Sequence, residues 1–426
     1  MRLLLLSADF PVPPANATRQ KIYQLLRFLG GRHEISLLAF HEPGTPPAQE
    51  HLLRVRNTGC RDVVALPWRM DPIVMDVLAN AIERAPHAYR KFRVHEFQEE
   101  LRRRLQHRPF DLIHCDINMT EMIEWLEGWG PAVLSPSDSF TKTYLRSVRY
   151  ARGVLRKTHN LFQAVKFYYA ERTYYPRYVK CVVVSQPEAD FLRRINPRID
   201  TAIVPIGADA PEEFPAEAAR RPAGDIVFSG QMSNPSTRDG IAWFAARIWP
   251  SVRRQFPECR FWLVGRAPDP AIQALSRQDP SIVVTGFVED MRATLRDKLA
   301  YVCPLRHGAG IKTRLLEAMA NGLPVVTTSI GAEGIDLIPG RHALVADTPE
   351  AFSEATVALL RSPETRARIA GAAFALVQER YTWGAYARGM ERVYEEAVRK
   401  HAAQRGGAPR ACAAQRERGG VGAGLV

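Results

Sequence analysis

Short apolar runs alternate with amphipathic stretches along almost the whole chain. In the first half, strands are predicted at residues 2–7, 34–39, 62–67, 111–115, 132–136 and 181–185, mostly separated by helical segments. The pattern restarts after a stretch rich in proline, alanine and acids (203–224), with strands predicted at 225–230, 260–265, 281–286, 299–304 and 323–328. Continuous apolar runs separated by helices are typical of parallel sheets covered on both faces. The pattern therefore predicts an α/β protein with two doubly wound domains.

The length of 426 residues agrees with two domains, because it exceeds what one hydrophobic core usually organises. We predict a first domain at 1–205, a second at 206–380 and a last helix at 381–398. Residues 399–426 hold six Lys or Arg and one Glu among Gly and Ala, which predicts a disordered basic tail. The four leucines near the start are too few for a signal peptide or a membrane span, so we predict a first strand there.

The six cysteines are scattered, with no C-x-x-C pair and no His/Cys cluster of zinc spacing. This distribution is typical of reduced, buried thiols in a cytoplasmic protein, and we expect no metal and no cofactor.

The net charge of +13 is concentrated in parts of the chain. Residues 140–180 contain ten Lys or Arg, ten Phe or Tyr and a single acid, Glu171. Such a mixture favours peripheral contact with an anionic membrane. It is also compatible with a solvated helix over a tyrosine-rich buried side, or with single-stranded nucleic acid.

The stretch RHGAGIKTRLLEAMANGLPVVTTSIGAEG (306–334) predicts a loop, a helix and a buried strand. Gly308 and Gly310 allow the loop backbone conformations that are closed to other residues. Thr313 is a candidate helix cap, and Lys312 adds a positive charge at the helix start. Free N–H groups, the helix dipole and the lysine would together suit a phosphate. Glu317, one turn further on, could accept hydrogen bonds from two hydroxyls of the same ligand. A loop that caps an ordinary helix remains the alternative.

Most strands of the second series end in Gly or Pro followed by a polar loop. Because the carboxyl ends of parallel strands lie on one edge, these loops should converge and bring Arg238, Arg266 and Lys312 around a gap suited to a diphosphate. No G-x-G-x-x-G follows the first strand and no Walker lysine motif occurs, which disfavours dehydrogenases and P-loop enzymes.

The second half resembles the donor-binding domain of the GT-B glycosyltransferases of family 4, the large retaining group. The resemblance lies in VFSGQMSNPSTRDGIAWF, FWLVGRAP, VVTGFVED and GAGIKTRLLEAMANGLPVVTTSIGAEGI. Looser matches in the first half include SADFPVPPANATRQKIYQLLRFL, RPFDLIHCD and VLSPSDS. The resemblance covers most of residues 1–398 and implies two Rossmann-like domains that face a cleft, with the last helix crossing back to the first domain. Within family 4 these motifs together resemble those of bacterial sugar transferases associated with exopolysaccharide gene clusters.

The resemblance also implies a set of site residues. Arg238 and Lys312 would stabilise the departing diphosphate, and Asp138 or Asp116 would be a candidate base. Glu317 would hold the ribose. The implied donor-binding residues are Gly230, Gln231, Gly265, Arg266, Gly286, Phe287, Val288, Gly308, Gly310, Ile311 and Glu317. The implied acceptor-side residues are Asn16, Ala17 and Arg19.

Two features depart from the family pattern. Much of family 4 carries two acids eight positions apart, but the position eight before Glu317 is Ala309. In the first domain, Asn16, Ala17 and Thr18 stand where a glycine pair is common.

The expected function is retaining transfer of a sugar from a nucleotide-diphosphate donor to a glycan or polyisoprenoid-linked hydroxyl in cell-surface or exopolysaccharide biosynthesis. We expect a cytoplasmic enzyme at the inner membrane face, without a nucleic-acid partner. Two alternatives stay open: a nucleotide-sugar epimerase of the same fold, and a non-catalytic basic protein that binds lipid or nucleic acid on a degenerate transferase scaffold.

Overall fold

The computed structural model describes residues 1–60, 62–70, 83–84, 86–151, 153–216, 221 and 223–404. Within these residues the chain forms two parallel sheets of seven and six strands, each with helices on both faces. The predicted fold class, two Rossmann-like domains, is confirmed.

The first sheet has the strand order β3-β2-β1-β4-β5-β6-β7. Its strands are β1 (Arg2–Ser7), β2 (Glu34–His41), β3 (Asp62–Pro67), β4 (Leu112–Asp116), β5 (Ala132–Ser137), β6 (Lys180–Val183) and β7 (Thr201–Ile203). Its helices are α1 (Ala17–Leu29), α2 (Gln49–Arg56), α3 (His87–Arg90), α4 (His95–His107), α5 (Ile123–Leu126), α6 (Phe140–Tyr150), α7 (Val154–Thr173) and α8 (Gln186–Ile195). The short strand β7 was not predicted.

The second sheet has the order β10-β9-β8-β11-β12-β13. Its strands are β8 (Ile226–Ser229), β9 (Phe261–Val264), β10 (Ile282–Gly286), β11 (Ala300–Cys303), β12 (Val325–Thr327) and β13 (Leu344–Val345). Its helices are α9 (Pro235–Arg247), α10 (Trp249–Gln255), α11 (Pro270–Gln278), α12 (Met291–Arg296), α13 (Thr313–Ala320), α14 (Ser329–Ala332), α15 (Pro349–Arg361) and α16 (Pro363–Arg380). The two-residue strand β13 was also not predicted.

Both sheets reverse their strand order once, between β1 and β4 in the first and between β8 and β11 in the second. The central strands are buried throughout, for example Leu3 to Leu6 in β1 and Ala300 to Cys303 in β11. Ligands of doubly wound sheets bind beyond the carboxyl ends of the strands at such reversal points. The loops after β1, β8 and β11 are therefore the first places to look for a site.

The last helix, α17 (Trp383–Gln404), returns to the first domain, where it contacts α1, β4 and β5. Tyr394 donates or accepts a hydrogen bond at 3.0 Å to Nδ1 of His114, which lies fully buried in β4. The helix continues to Gln404, past the predicted end at 398, and Nζ of Lys400 in its last turns lies 2.7 Å from Oδ2 of Asp200. Residues 399–404 are therefore helical and not part of a disordered tail, and the rest of that prediction, 405–426, lies outside the described residues.

Five of the six cysteines are described, and all five are buried free thiols. None of the described helices combines the length and apolar character that a membrane crossing requires.

Candidate functional site

The strand ends of the second domain converge as the sequence suggested. A Cβ built on Gly265, after β9, would lie 1.7 Å from the carbonyl oxygen of Gly230, after β8. The two turns are therefore in direct backbone contact. Gly286 ends β10 beside them, since its carbonyl accepts a hydrogen bond from Gly265 N–H at 2.9 Å.

Residues 306–312, which we call the donor loop, follow β11 and lead into α13. The helix begins at Thr313 with Lys312 at the N-cap position and without a side-chain cap, so the prediction of Thr313 as the cap was wrong. Lys312 is largely buried, and its Nζ donates to the carbonyls of Ala309 at 2.9 Å and Gly310 at 2.6 Å. Burial lowers the pKa of this ammonium, although nearby Asp138 opposes the shift. Lys312 thus stabilises the donor loop and keeps a cation at the helix start.

Arg314 is a residue that the sequence reasoning missed. A Cβ on Gly230 would lie 2.3 Å from its Nη1, and the same nitrogen donates to Thr237 Oγ1 at 3.1 Å. Its guanidinium also lies over the ring of Phe228, 5.4 Å from the centroid. The signal was present in the sequence, because Arg314 follows Lys312 by two positions at the same helix start.

Arg238, in the first turns of α9, is engaged by an acid. Its Nη1 lies 2.7 Å from Oδ2 of Asp269, the residue that caps α11. The hydrogen bond from Ala271 N–H and, second to it, the hydrogen bond from Arg238 hold the pKa of Asp269 below its usual range. A diphosphate would therefore have to share Arg238 with Asp269, whereas Thr237 beside it already contacts Arg314.

Glu317 lies one turn into α13 and is partly exposed. Burial raises the pKa of its carboxyl to about 7; Arg314 opposes this shift and Asp209 adds to it. Phe287 is 64% exposed, so it is not a core residue, and Val288 packs against the core. The ring of Phe287 faces Arg266, whose guanidinium lies 5.3 Å from the ring centroid.

Arg266 also crosses the cleft, because its Nη2 donates to the carbonyl of Ala15 at 2.7 Å. Ala15 belongs to the loop after β1, where the acceptor-side residues were predicted. Asn16 caps α1 by accepting from Arg19 N–H at 2.9 Å, and Ala17 is the first residue of that helix. Nη2 of Arg19 lies 3.6 Å from Oδ1 of Asp9. Where the family pattern has a glycine pair, this chain therefore has a capped helix start.

Asp138 follows β5 in the first domain and lies directly against the donor loop. Gly310 has a φ of +67°, and a Cβ there would lie 2.1 Å from Oδ1 of Asp138. The preceding residue, Ser137, also has a positive φ of 68°, a rare conformation for a residue with a side chain. Burial raises the pKa of Asp138 to about 7, Glu188 adds to the shift and Lys312 opposes it. Asp138 therefore sits where the two domains meet, with a pKa suited to proton transfer.

Asp116, the second candidate base, lies away from the donor loop in a buried ion pair. It is fully buried at the end of β4, and its Oδ1 lies 2.6 Å from Nζ of Lys21, itself buried in α1. Lys21 also donates to Ser137 Oγ at 3.0 Å. The pair therefore anchors α1 against the ends of β4 and β5. Nothing in the local sequence marked Lys21, because 95 positions separate the two partners.

The remaining predicted residues lie at the same edge. Gln231 follows Gly230 and donates from Nε2 to Ser233 Oγ at 3.1 Å. Ile311 is partly buried between Gly310 and Lys312. Gly308 accepts at its carbonyl from Arg146 of the first domain at 2.7 Å. Within the described residues, no group of three or more His, Cys, Asp and Glu has an arrangement suited to a metal.

Comparison with known proteins agrees with this geometry. Residues 223–362 match the family model described as "Glycosyl transferases group 1". An "Uncharacterized 44.6 kDa protein in cps region" of Klebsiella pneumoniae is 25% identical over 164 residues, 37% of this chain and 42% of the relative, so the match spans less than half of that protein. A "Phosphatidyl-myo-inositol mannosyltransferase" of Mycobacterium leprae is 28% identical over 312 residues, 69% of this chain and 76% of the relative.

Among solved structures, HepE of Anabaena in complex with UDP and glucose has a TM-score of 0.62 at 12% identity. The alignment covers 93% of this chain and 100% of HepE. At this identity the likeness shows the fold alone.

Proposed function

The chain belongs to the group 1 glycosyltransferases of GT-B fold, and from this premise we propose that it transfers a sugar, with retention, from a nucleotide-diphosphate donor to a hydroxyl of a glycan or polyisoprenoid-linked acceptor. The observation that carries the proposal is the meeting of the donor loop with Asp138 across the cleft. The donor loop of one domain, which in this proposal binds the diphosphate, there faces an acid of raised pKa on the other.

In this proposal the second domain holds the nucleotide. The donor-loop backbone, Lys312 and Arg314 lie where they could neutralise the diphosphate, with Arg238 as a further cation shared with Asp269. Glu317 would accept hydrogen bonds from the ribose hydroxyls. The exposed ring of Phe287 would cover the base, together with the backbone of the β10 turn.

The chemical step breaks the bond between the anomeric carbon and the β-phosphate oxygen and forms a bond to the acceptor oxygen. Negative charge grows on the departing diphosphate, so fixed cations and N–H donors at that oxygen lower the barrier. For front-face attack, the acceptor proton passes to the departing phosphate, and no protein nucleophile is required. Asp138 is the residue we would assign to that proton if a base takes part, since its pKa of about 7 allows it to accept one.

The proposed acceptor rests on the names of the two relatives, and the proposed membrane contact rests on an exposed surface of the first domain. One relative's name places it in a capsule region and the other's names a phosphatidyl-myo-inositol acceptor, which supports a cell-surface glycan or lipid-linked acceptor here. We accordingly propose a role in exopolysaccharide or other cell-surface biosynthesis, in the cytoplasm and peripherally at the inner membrane face.

Helices α6 and α7 form a hairpin that supports the membrane part of the proposal. One side of α7 exposes a row of seven large apolar side chains, and Leu155 alone is 88% exposed. The row consists of Val154, Leu155, Leu161, Phe162, Val165, Tyr168 and Tyr169. Arg149, Arg156 and Lys157 are exposed on the same hairpin, and the sole acid of the segment, Glu171, is buried and accepts from Ser139. An exposed apolar row on a hairpin that also exposes cations matches the interface of an anionic membrane.

The donor site is tested by incubating the purified protein with a panel of UDP-, GDP-, ADP- and dTDP-sugars and measuring binding by calorimetry. Lys312→Ala should abolish transfer, whereas Arg277→Ala, which removes an exposed cation of the same domain, should leave it unchanged. Absence of binding to every nucleotide diphosphate would remove the proposal.

The two alternative functions predict different outcomes with the same nucleotide sugars and the same Lys312 variant. An epimerase would convert a nucleotide sugar without an acceptor, which a proton spectrum of the sugar detects. A non-catalytic lipid- or nucleic-acid-binding protein would bind its ligand equally well with or without the Lys312 side chain.

A further inference from the structure

Four charged side chains form a cluster between the domains, beside the donor loop. Lys142 and Arg146 come from α6, Glu188 from α8 and Glu333 from the loop after α14 of the second domain. Nζ of Lys142 lies 2.6 Å from Glu188 and 2.9 Å from Glu333. Arg146 makes two contacts to the Glu333 carboxylate, one of them 2.9 Å from Nη2 to Oε1. We call these four residues the ion cluster.

The ion cluster also holds the backbone of the donor loop. Nη1 of Arg146 donates to the Gly308 carbonyl at 2.7 Å, and the Glu188 carboxylate accepts from Gly310 N–H at 3.4 Å. Two first-domain side chains therefore fix the two ends of the Gly308–Gly310 segment. This segment is where the proposed diphosphate would bind.

Glu333 is the single second-domain member of the cluster, and it lies between both cations. Burial acts to raise the pKa of its carboxyl, but hydrogen bonds from Arg146 and Lys142 outweigh burial and hold the pKa at about 2. Glu333 therefore stays charged under all ordinary conditions. Buried ion pairs contribute little net stability, but removing one partner is costly, because it leaves the other charge buried and unpaired.

We infer that Glu333 is a positioning residue: its carboxylate keeps Arg146 on the Gly308 carbonyl and so holds the donor loop against the first domain in the geometry that transfer needs. The kinetic consequence rests on the proposed function. The structural consequence does not, since the contacts exist in the protein without donor.

The test compares Glu333→Gln with Asp336→Asn. Gln keeps the size of Glu333 and removes its charge. Asp336 is a matched control, because it lies three residues on and also pairs with an arginine, Arg380 at 2.8 Å, but this pair is exposed and lies outside the ion cluster. Amide hydrogen exchange of residues 308–311 is measured on each full-length protein without ligand.

We expect exchange at 308–311 to be about tenfold faster in Glu333→Gln and unchanged in Asp336→Asn. Because a displaced donor loop misplaces the reacting groups, kcat for the accepted donor should fall by about 10-fold to 100-fold. Affinity for the nucleoside diphosphate alone should fall by only about threefold, less than kcat, because the ribose and base contacts remain while the donor loop is displaced. This split between kcat and binding separates positioning from a general loss of structure.

Arg146→Met provides a second variant that removes the same link from the other side, and it should reproduce the faster exchange. Wild-type exchange at 308–311 in both variants would overturn the inference. An equal effect of Asp336→Asn would overturn it too. If the wild type binds no nucleotide at all, the proposed function fails, while the exchange comparison still decides the role of Glu333.

Discussion

The contact between Gly310 and Asp138 can be tested by adding a single methyl group. In Gly310→Ala two costs arise together. The φ of +67° becomes unfavourable for a residue with a side chain, and the new Cβ lies 2.1 Å from Oδ1 of Asp138. Gly340→Ala is the matched control, because Gly340 has a φ of +78° but no atom within 4 Å of its built Cβ.

The two costs have different sizes and different consequences. The left-handed conformation costs about 1–2 kcal/mol in either variant, which lowers the thermal midpoint of a domain of this size by about 2–8 °C. In Gly310→Ala the Asp138 carboxylate must also retreat by about 1 Å to reach an ordinary contact distance, or the donor loop must move by as much. A misplacement of about 1 Å costs about 10²-fold in rate.

The assay measures thermal unfolding and kcat/KM for the accepted donor in both variants. Gly310→Ala should lose at least as much stability as Gly340→Ala, and only Gly310→Ala should lose about 10²-fold in kcat/KM. Equal activity in the two variants would refute the claim that Asp138 and the donor loop form one site. The double variant Gly310→Ala, Asp138→Ala should not recover activity, although it removes the clash, if Asp138 takes part in transfer.

Three further predictions concern other parts of the molecule. Affinity for UDP should rise from about pH 6 to about pH 8 as the Glu317 carboxyl, with a pKa of about 7, ionises and can accept both ribose hydroxyls; Glu317→Gln should flatten this rise in calorimetric titrations. Lys21→Met leaves Asp116 buried without its cation, a loss of about 3–5 kcal/mol that should lower the thermal midpoint by about 10 °C, and an added Asp116→Leu should recover much of it. Leu155→Glu should weaken sedimentation with anionic vesicles by about tenfold or more, whereas Leu53→Glu, at another exposed leucine (58%) on α2, should not; equal loss in both would contradict docking through α7.

The fold was largely predictable because its signals are local. Each apolar run needed burial on both faces, and each was followed by a helical stretch, so the parallel sheets could be deduced without knowing any contact. The strands that escaped prediction, β7 and β13, have three and two residues and carry no periodicity. The last helix was predicted too short; its last turns pair with the first domain through Lys400 and Asp200, which lie far apart in sequence.

The candidate site was predictable in its second-domain half. Gly230, Gly265 and the donor loop follow strands whose carboxyl ends share one edge, so their convergence follows from strand direction alone. The burial of each side chain and the charged group that it meets could not be deduced from strand direction. Asp116 and Asp138 both come after first-domain strands, yet the fold buries one against Lys21 and places the other at the cleft.

The sequence by itself thus determined the two sheets, their order of elements and the edge where the turns of the second domain converge, since these depend on hydrophobic period and strand direction. The tertiary structure alone decided which charges meet. The guanidinium of Arg314 lies against the Gly230 turn, which belongs to another loop. Glu333 of the second domain lies between Lys142 and Arg146 of the first domain. Their proximity is set by how the domains pack, and electrostatic energy depends on distance in space, which no spacing along the chain records.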